Sequence, residues 1–177
     1  MVQDICVPCG DGLVNVRVGA IIRKDGKLLM VHHWGGNYFY SVGGRIQFGE
    51  TAQEAIVREV REETGLSMEV EGLGFIHETF FQGGTRSKRG LPVYEISFYF
   101  YMKLPEQAEL HCHSVNEDGL SEQLQWVDPQ GNETIYPEFF RTELGNPGEG
   151  IKHFVTDDLH DTPIGIRRNP LYKTEGV

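Results

Sequence analysis

Residues 44–66 read GRIQFGETAQEAIVREVREETGL, and the placement of charge along this stretch decides how the rest of the chain is read. Thr51 to Thr64 holds helix formers throughout, and Gly65 stops the run as a C-cap. At about 100° per residue with Glu59 set to zero, Glu63 falls near 40° and Glu62 near 300°, interleaved with Ala52, Ala55, Ile56 and Val60. Glu54, Arg58 and Arg61 cluster on the opposite side, at roughly 200° to 260°. An ordinary amphipathic helix keeps its glutamates on the wet face, where Glu54 with Arg58 and Arg58 with Glu62 make helpful i,i+4 pairs. Here Glu59, Glu62 and Glu63 share the inward stripe instead. Two like charges ~4 Å apart repel by roughly 4 kcal/mol at an effective dielectric of about 20, and burial adds to the cost. Protonation, arginine or a bound cation must offset that repulsion. An all-oxygen donor set suits a hard ion such as Mg²⁺ or Mn²⁺ rather than zinc. A solvated helix end is the competing reading, and periodicity alone does not separate the two. The upstream glycines weigh against it: Gly43-Gly44 permits close backbone approach, and Gly49-Glu50 adds a tight turn before the helix.

Outward from this unit, 177 residues are the length of one domain, taken as 1–177 with the tail from about residue 145 the least patterned part. The 39% hydrophobic content and 22 glycines are near globular proportions, which excludes wholesale disorder. Twenty-six acids against 16 bases give a net charge of -10. That balance argues against a duplex nucleic-acid partner, which calls for a basic stripe, but leaves room for a small phosphorylated ligand held through a cation. No run approaches the ~18 apolar residues of a membrane span, and MVQDICVPCGDG lacks a basic start followed by an apolar core. The expectation is a soluble cytoplasmic protein with no membrane partner. Cys6, Cys9 and Cys112 form no disulfide framework. Cys6-x-x-Cys9 with His111 and His113 offers one half of a zinc motif without a spaced second half, so free thiols and solvated histidines are the plainer reading.

Val14, Val16 and Val18 alternate within Leu13–Ile22, Lys24-Asp25-Gly26-Lys27 signals a turn, and Leu28–His32 resumes the apolar run, which predicts a hairpin. Met68–Phe81, Val93–Met102 and Leu124–Val127 read as strands, the first two separated by the basic stretch Gln82–Gly90. Glu133–Leu144 reads as a second helix that Pro137 restricts to start near itself. Strands, helix, strands and helix without repeats give a mixed-sheet α/β domain.

The same 44–66 stretch matches without a gap the Nudix box, G-x5-E-x7-R-E-U-x-E-E-x-G-U with U a bulky aliphatic. Gly44, Glu50, Arg58, Glu59, Val60, Glu62, Glu63, Gly65 and Leu66 fill its fixed positions. A match of this length and fixed spacing is far more specific than a lone glycine motif. Weaker resemblance extends to the hairpin before the box, to HETFF and EISFYF, and to LQWVDP with Trp126. The chain therefore resembles the Nudix hydrolases. The resemblance implies an α/β/α sandwich with a mixed sheet and a pyrophosphatase cleaving a nucleoside diphosphate linked to another moiety, such as a nucleotide sugar, ADP-ribose or a nucleoside triphosphate. By the same resemblance Glu59, Glu62, Glu63 and the Gly44 carbonyl are ligands of Mg²⁺ or Mn²⁺, Arg58 orients the carboxylates, and Glu50 supports them. A carboxylate must also take the attacking water's proton. Glu59 or Glu62 in the box, or Glu117 or Glu122 on a later loop, fills that role, and the sequence does not choose among them. The resemblance also implies a homodimer as the oligomeric state to test. A noncatalytic nucleotide-binding module is the alternative, although such modules have eroded boxes and this one is intact.

One departure lies just before the box, where Phe39-Tyr40-Ser41-Val42-Gly43-Gly44 stands in place of the family's frequent W-x-L-P-G-G. Phe39 and Tyr40 either stack on a ring of the substrate or are strand residues of the core, the commoner fate of such side chains. Arg86 and Arg89 lie in the basic stretch Gly83–Gly90, which either closes on a terminal phosphate or is a solvated hairpin tip. His32, His33 and His77 are read as strand-end or surface histidines without a role.

Overall fold

The computed structural model describes residues 3–33, 37–84, 90–107 and 122–159. One long strand belongs to three ladders and organises the sheet. After a short strand β1 (Cys6–Cys9), β2 runs from Gly12 to Lys24. Its Leu13–Ile22 portion pairs in parallel with β6 (Pro92–Lys103), and its last two residues enter an antiparallel hairpin with β3 (Lys27–His33). The hairpin turn falls where expected, with Asp25 and Gly26 both at positive φ, 51° and 77°, the turn geometry that follows the strand twist.

Beyond the hairpin, β3 pairs antiparallel with β4 (Tyr38–Ser41) and with β7 (Gln123–Val127), and β4 pairs in parallel with the two-residue β8 (Ile135–Tyr136). On the other side β6 pairs antiparallel with β5 (Glu69–Gln82), and β5 pairs in parallel with β9 (Lys152–Asp157). The resulting order is β8-β4-β3-β2-β6-β5-β9, with β1 against β2 and β7 against β3.

Alternation along β2 feeds two cores. Val18, Ala20 and Ile22 join Leu29, Val31, Phe100 and Met102 against Ala55, Ile56 and Val60 of α1 (Ala52–Thr64). Ile21 belongs to the other cluster, in which Phe75, Tyr99, Tyr101 and Phe154 pack with Phe139 and Phe140, the latter the first residue of α2 (Phe140–Glu143). Phe139 stacks on Phe154 with centroids 4.3 Å apart. Helix, mixed sheet and helix are therefore layered as the expected α/β/α sandwich, although the second outer layer is a single helical turn.

Local chemistry fixes the ends of α1. Thr51 accepts from the Glu54 N–H while the Glu54 carboxylate accepts from the Thr51 N–H, a capping box. At the other end Gly65 adopts φ 74° and donates to the Arg61 carbonyl. The second helix is a correction. Within Glu133–Leu144 a helix starting near Pro137 is expected, whereas helix begins only at Phe140 and lasts one turn, and Ile135 before it is fully buried in β8 beside Phe39. Pro137 favours extended backbone in the residue before it, and pairing with β4 uses that preference. The tail also holds more order than expected: β9 was missed because Phe154 is its single buried residue, too few to show a period.

Truncating the ring at the centre of the second core tests this packing. Phe75 lies 5.1 Å from Phe139 and 5.9 Å from Phe154 between ring centroids. Phe75→Ala is expected to lower the unfolding free energy by ~3–5 kcal/mol, and Thr51→Ala by about 1 kcal/mol through loss of the cap. Urea denaturation of the two variants should show that order.

Candidate active site

The glycine segment before α1 is laid along β2. Ala20 N–H donates to the Val42 carbonyl at 2.7 Å, Val18 N–H to Gly44 at 2.9 Å, and Ile46 N–H to Val16 at 3.0 Å. Gly43 sits at φ 144°, and a Cβ there would stand 2.2 Å from the Val18 oxygen. A Cβ on Gly44 would stand 2.3 Å from a carboxylate oxygen of Glu59. Absent side chains at both positions let the helix carboxylate rest against the loop backbone.

Arg58 ties this loop to the helix. Its Nε and Nη2 grip Glu50 at 3.0 and 2.6 Å, and Nη2 also donates to the Arg45 carbonyl at 3.0 Å. Nη1 donates to Glu59 at 2.7 Å and to Glu62 at 3.3 Å. Glu50 accepts the Gln47 N–H as well, at 2.7 Å. Hydrogen bonds and charge from Arg58 hold the Glu50 carboxyl below the usual carboxylate range, and the carboxylates in turn raise Arg58. The expected orienting role of Arg58 thus has a geometric counterpart, although the helical wheel had assigned it to the wet side. Its Cα is on the margin of that side, and its long stem carries the guanidinium back across.

The three box glutamates do not share one environment. Glu63 is buried, 8% exposed, and accepts the Gly43 N–H at 3.1 Å. Burial pushes its carboxyl up to about 8, with the charges of Glu122 and Glu59 adding to the rise and the Gly43 N–H and Arg17 opposing it. Glu59 has a side chain 13% exposed and is likewise raised by burial. Glu62 differs from the expected inward stripe: its side chain is 59% exposed. At roughly 300° it lies next to Arg58 on the wheel, at the rim rather than inside.

Two further groups reach the cluster. Glu122 accepts a short hydrogen bond from the Tyr40 hydroxyl and acts on Glu63. Arg17, on β2, donates to the Gly43 carbonyl at 3.5 Å and acts on Glu59, Glu63 and Glu95. Sequence reading missed Arg17, although a cation between Val16 and Val18 in an apolar strand was the available signal. Alternation separates the two neighbouring aromatics. Tyr40 packs beside the core under α1, whereas Phe39 is buried in the other core and stacks on His32 at 4.7 Å. A stacking role for Phe39 is therefore replaced by a core role. His77 is a second correction: it is buried in mid-strand, bonded to Thr156 at 2.9 Å, and lowered to about 4 by burial. Arg86, Arg89, Glu117, Cys112, His111 and His113 lie outside the described residues.

Among the described residues, no three acidic, histidine or cysteine side chains are drawn together closely enough to hold a metal ion as they stand. The donors nonetheless fit one. Glu59 and Glu63 are both raised by burial, which marks carboxylates short of positive charge, and all the donors nearby are oxygen. Gly44 uses its carbonyl toward Val18 and keeps a second lone pair.

Comparison with known proteins bears on the family and the fold. An ADP-ribose pyrophosphatase of Methanocaldococcus jannaschii is 43% identical over 61 residues, 33% of this chain and 36% of that protein. A MutT-like protein of Streptomyces ambofaciens is 32% identical over 65 residues, 37% of this chain and 42% of that one. The matches thus span less than half the length of these curated relatives. The crystal structure of a MutT protein from Bacillus halodurans shares the fold, with a TM-score of 0.55 at 16% identity, covering 81% of this chain and 91% of that one. Residues 13–142 match the family model of the NUDIX domain, and the chain belongs to that family.

Proposed function

We propose that the chain is a pyrophosphatase that hydrolyses the diphosphate bond of a nucleoside diphosphate linked to another moiety: a nucleotide sugar, ADP-ribose or a nucleoside triphosphate. The observation that carries this reading is the pair of Glu63, buried, and Glu59, half-buried, set against a glycine backbone, with Glu59 braced by Arg58. Glu59, Glu62, Glu63 and the Gly44 carbonyl are the proposed ligands of Mg²⁺ or Mn²⁺. When bound, such an ion neutralises charge on the diphosphate and lowers the pKa of the attacking water.

The chain's own groups divide the remaining work. Arg58 and Glu50 hold the helix and loop in register. Arg17 faces the glutamates from β2 and is placed to meet a phosphate oxygen. Water attacks one phosphorus, the anhydride P–O bond opposite it breaks, and the water's proton passes to a carboxylate. We assign that proton to Glu122: Glu59 is engaged by Arg58, whereas Glu122 is oriented by the Tyr40 hydroxyl beside Glu63. The name of one curated relative, an ADP-ribose pyrophosphatase, supports the bond class.

A screen of nucleoside triphosphates, dinucleoside polyphosphates, sugar nucleotides and ADP-ribose, with products identified, should show hydrolysis of at least one class that depends on Mg²⁺ or Mn²⁺. Glu59→Gln and Glu63→Gln should abolish it while circular dichroism stays unchanged; undiminished turnover by both variants would sink the proposal. Glu122→Gln should lower kcat by roughly 10²–10⁴-fold, the range of a general base, and leave metal affinity within a few fold. Loss of metal affinity in that variant would make Glu122 a ligand instead.

The raised Glu63 carboxyl also predicts a pH dependence in metal-free protein. Its folded value of about 8 exceeds the ordinary 4.5, so between these limits the folded state holds the proton more tightly than the unfolded one. The resulting stabilisation is full below about 4.5 and is lost as pH rises toward about 8. Thermal melts in EDTA should therefore show Glu63→Gln gaining on the wild type across that window, with no further gain above it. A constant difference between the two proteins would contradict a buried, protonated Glu63.

A further inference from the structure

The end of β2 remote from Glu59 gathers charge of the opposite sign. A cavity of about 530 Å³ opens between the β2–β3 hairpin, with Arg23, Lys24 and Lys27, and the segments around α2, with Gln130 and Arg141. That volume lies within the range of small-molecule sites, ~300–1,000 Å³. Asp25 is its one lining acid, in a chain whose net charge is -10. Among the described residues no ion pair neutralises any of these four cations, although Arg23 acts at longer range on Glu149.

Both guanidiniums are fixed by neutral acceptors. Arg23 Nη1 donates to the Gly145 carbonyl at 2.9 Å, and its guanidinium carbon lies 5.1 Å over the Tyr101 ring. Arg141 Nη1 donates to the carbonyls of Pro129 and Gly131 at 2.7 and 3.1 Å, and Nη2 to that of Glu133. Carbonyls orient a guanidinium without cancelling its charge, and each arginine keeps unused N–H donors. Such a preorganised fork recognises phosphoryl oxygens at small entropic cost.

We infer that this cavity is a second anion site, separate from the catalytic glutamates, that takes a diphosphate group, either free or on a nucleoside. The inference does not rest on the proposed activity. Six residues along one strand, ~20 Å, separate Arg23 from Arg17 at the box, so one phosphoryl group cannot occupy both places. An anion bound here joins the hairpin to the Pro129–Gly131 turn and α2, which Arg141 already ties to each other.

Calorimetric titration of the full chain in EDTA with pyrophosphate, ADP and sulfate tests it, since chelation removes the metal that the box would use to hold a diphosphate. Pyrophosphate and ADP should both bind and raise Tm, and sulfate should bind at least tenfold more weakly than either. Arg23→Gln/Lys27→Gln should weaken diphosphate binding at least tenfold, and Glu59→Gln/Glu63→Gln should leave it unchanged. Lys24→Glu/Lys27→Glu, which alters exposed hairpin ammoniums, should give the same loss with the fold unperturbed. Equal binding of sulfate and pyrophosphate, or loss of binding in the Glu59/Glu63 variant and not in the hairpin variants, would overturn the inference.

Discussion

The guanidinium of Arg58 is the contact on which loop, helix and carboxylates depend together. It joins Glu50 before the helix, the Arg45 carbonyl in the glycine segment, and Glu59 and Glu62 on the helix itself. Arg58 and Arg17 together cannot balance four carboxylates, and the site resolves the shortfall by sorting them. Glu50, gripped through two nitrogens, is held ionised, while Glu63, buried with a single N–H donor, is pushed toward its protonated form. Partly buried ion networks of this kind add little to stability because desolvation offsets attraction. What the network does provide is position: Glu59 is held by Arg58, and Glu63 is held by the Gly43 N–H rather than by an arginine.

The parts of this arrangement legible in the sequence were those set by local rules. The capped helix, the hairpin turn and the glycines follow from short-range chemistry, and the wheel placed Glu59 and Glu63 on the inner side, where they are found. Glu62 was misplaced because a wheel knows angle but not depth: near 300° a long side chain beside Arg58 reaches solvent. The unread elements depend on partners distant in sequence. β8 exists because Ile135 pairs with Phe39 and fills the second core, and β9 because Phe154 meets Phe75 and Phe139. Neither segment carries a period of its own. Arg17 belongs to the same class: within the strand it is one charged residue, and its meaning comes from Gly43 and Glu63, far along the chain.

β2 connects these observations. Its parallel partner β6 holds it in the centre of the sheet, its even side chains support α1, and its amides receive the glycine loop that faces Glu59. The strand then carries on into the hairpin, where Arg23 lies over Tyr101. Both charged regions are consequently mounted on one rigid element, at distances set by the strand's rise rather than by flexible loops.

The net charge acquires a different meaning in this light. A uniformly acidic surface would repel a polyanionic nucleotide, yet the described charges are segregated. Carboxylates whose ionised form is opposed by burial are concentrated around Glu59 and Glu63, where a cation would reverse the local field; guanidiniums held by backbone carbonyls collect at the opposite end of β2. On the proposed reading a nucleotide diphosphate would be attracted at two places for two reasons, through a divalent ion at the box and directly at the hairpin. Ionic strength should not affect them alike, because the hairpin cations face open solvent and are screened within a Debye length, whereas the buried carboxylates are shielded from that screening by the loop and the helix that cover them.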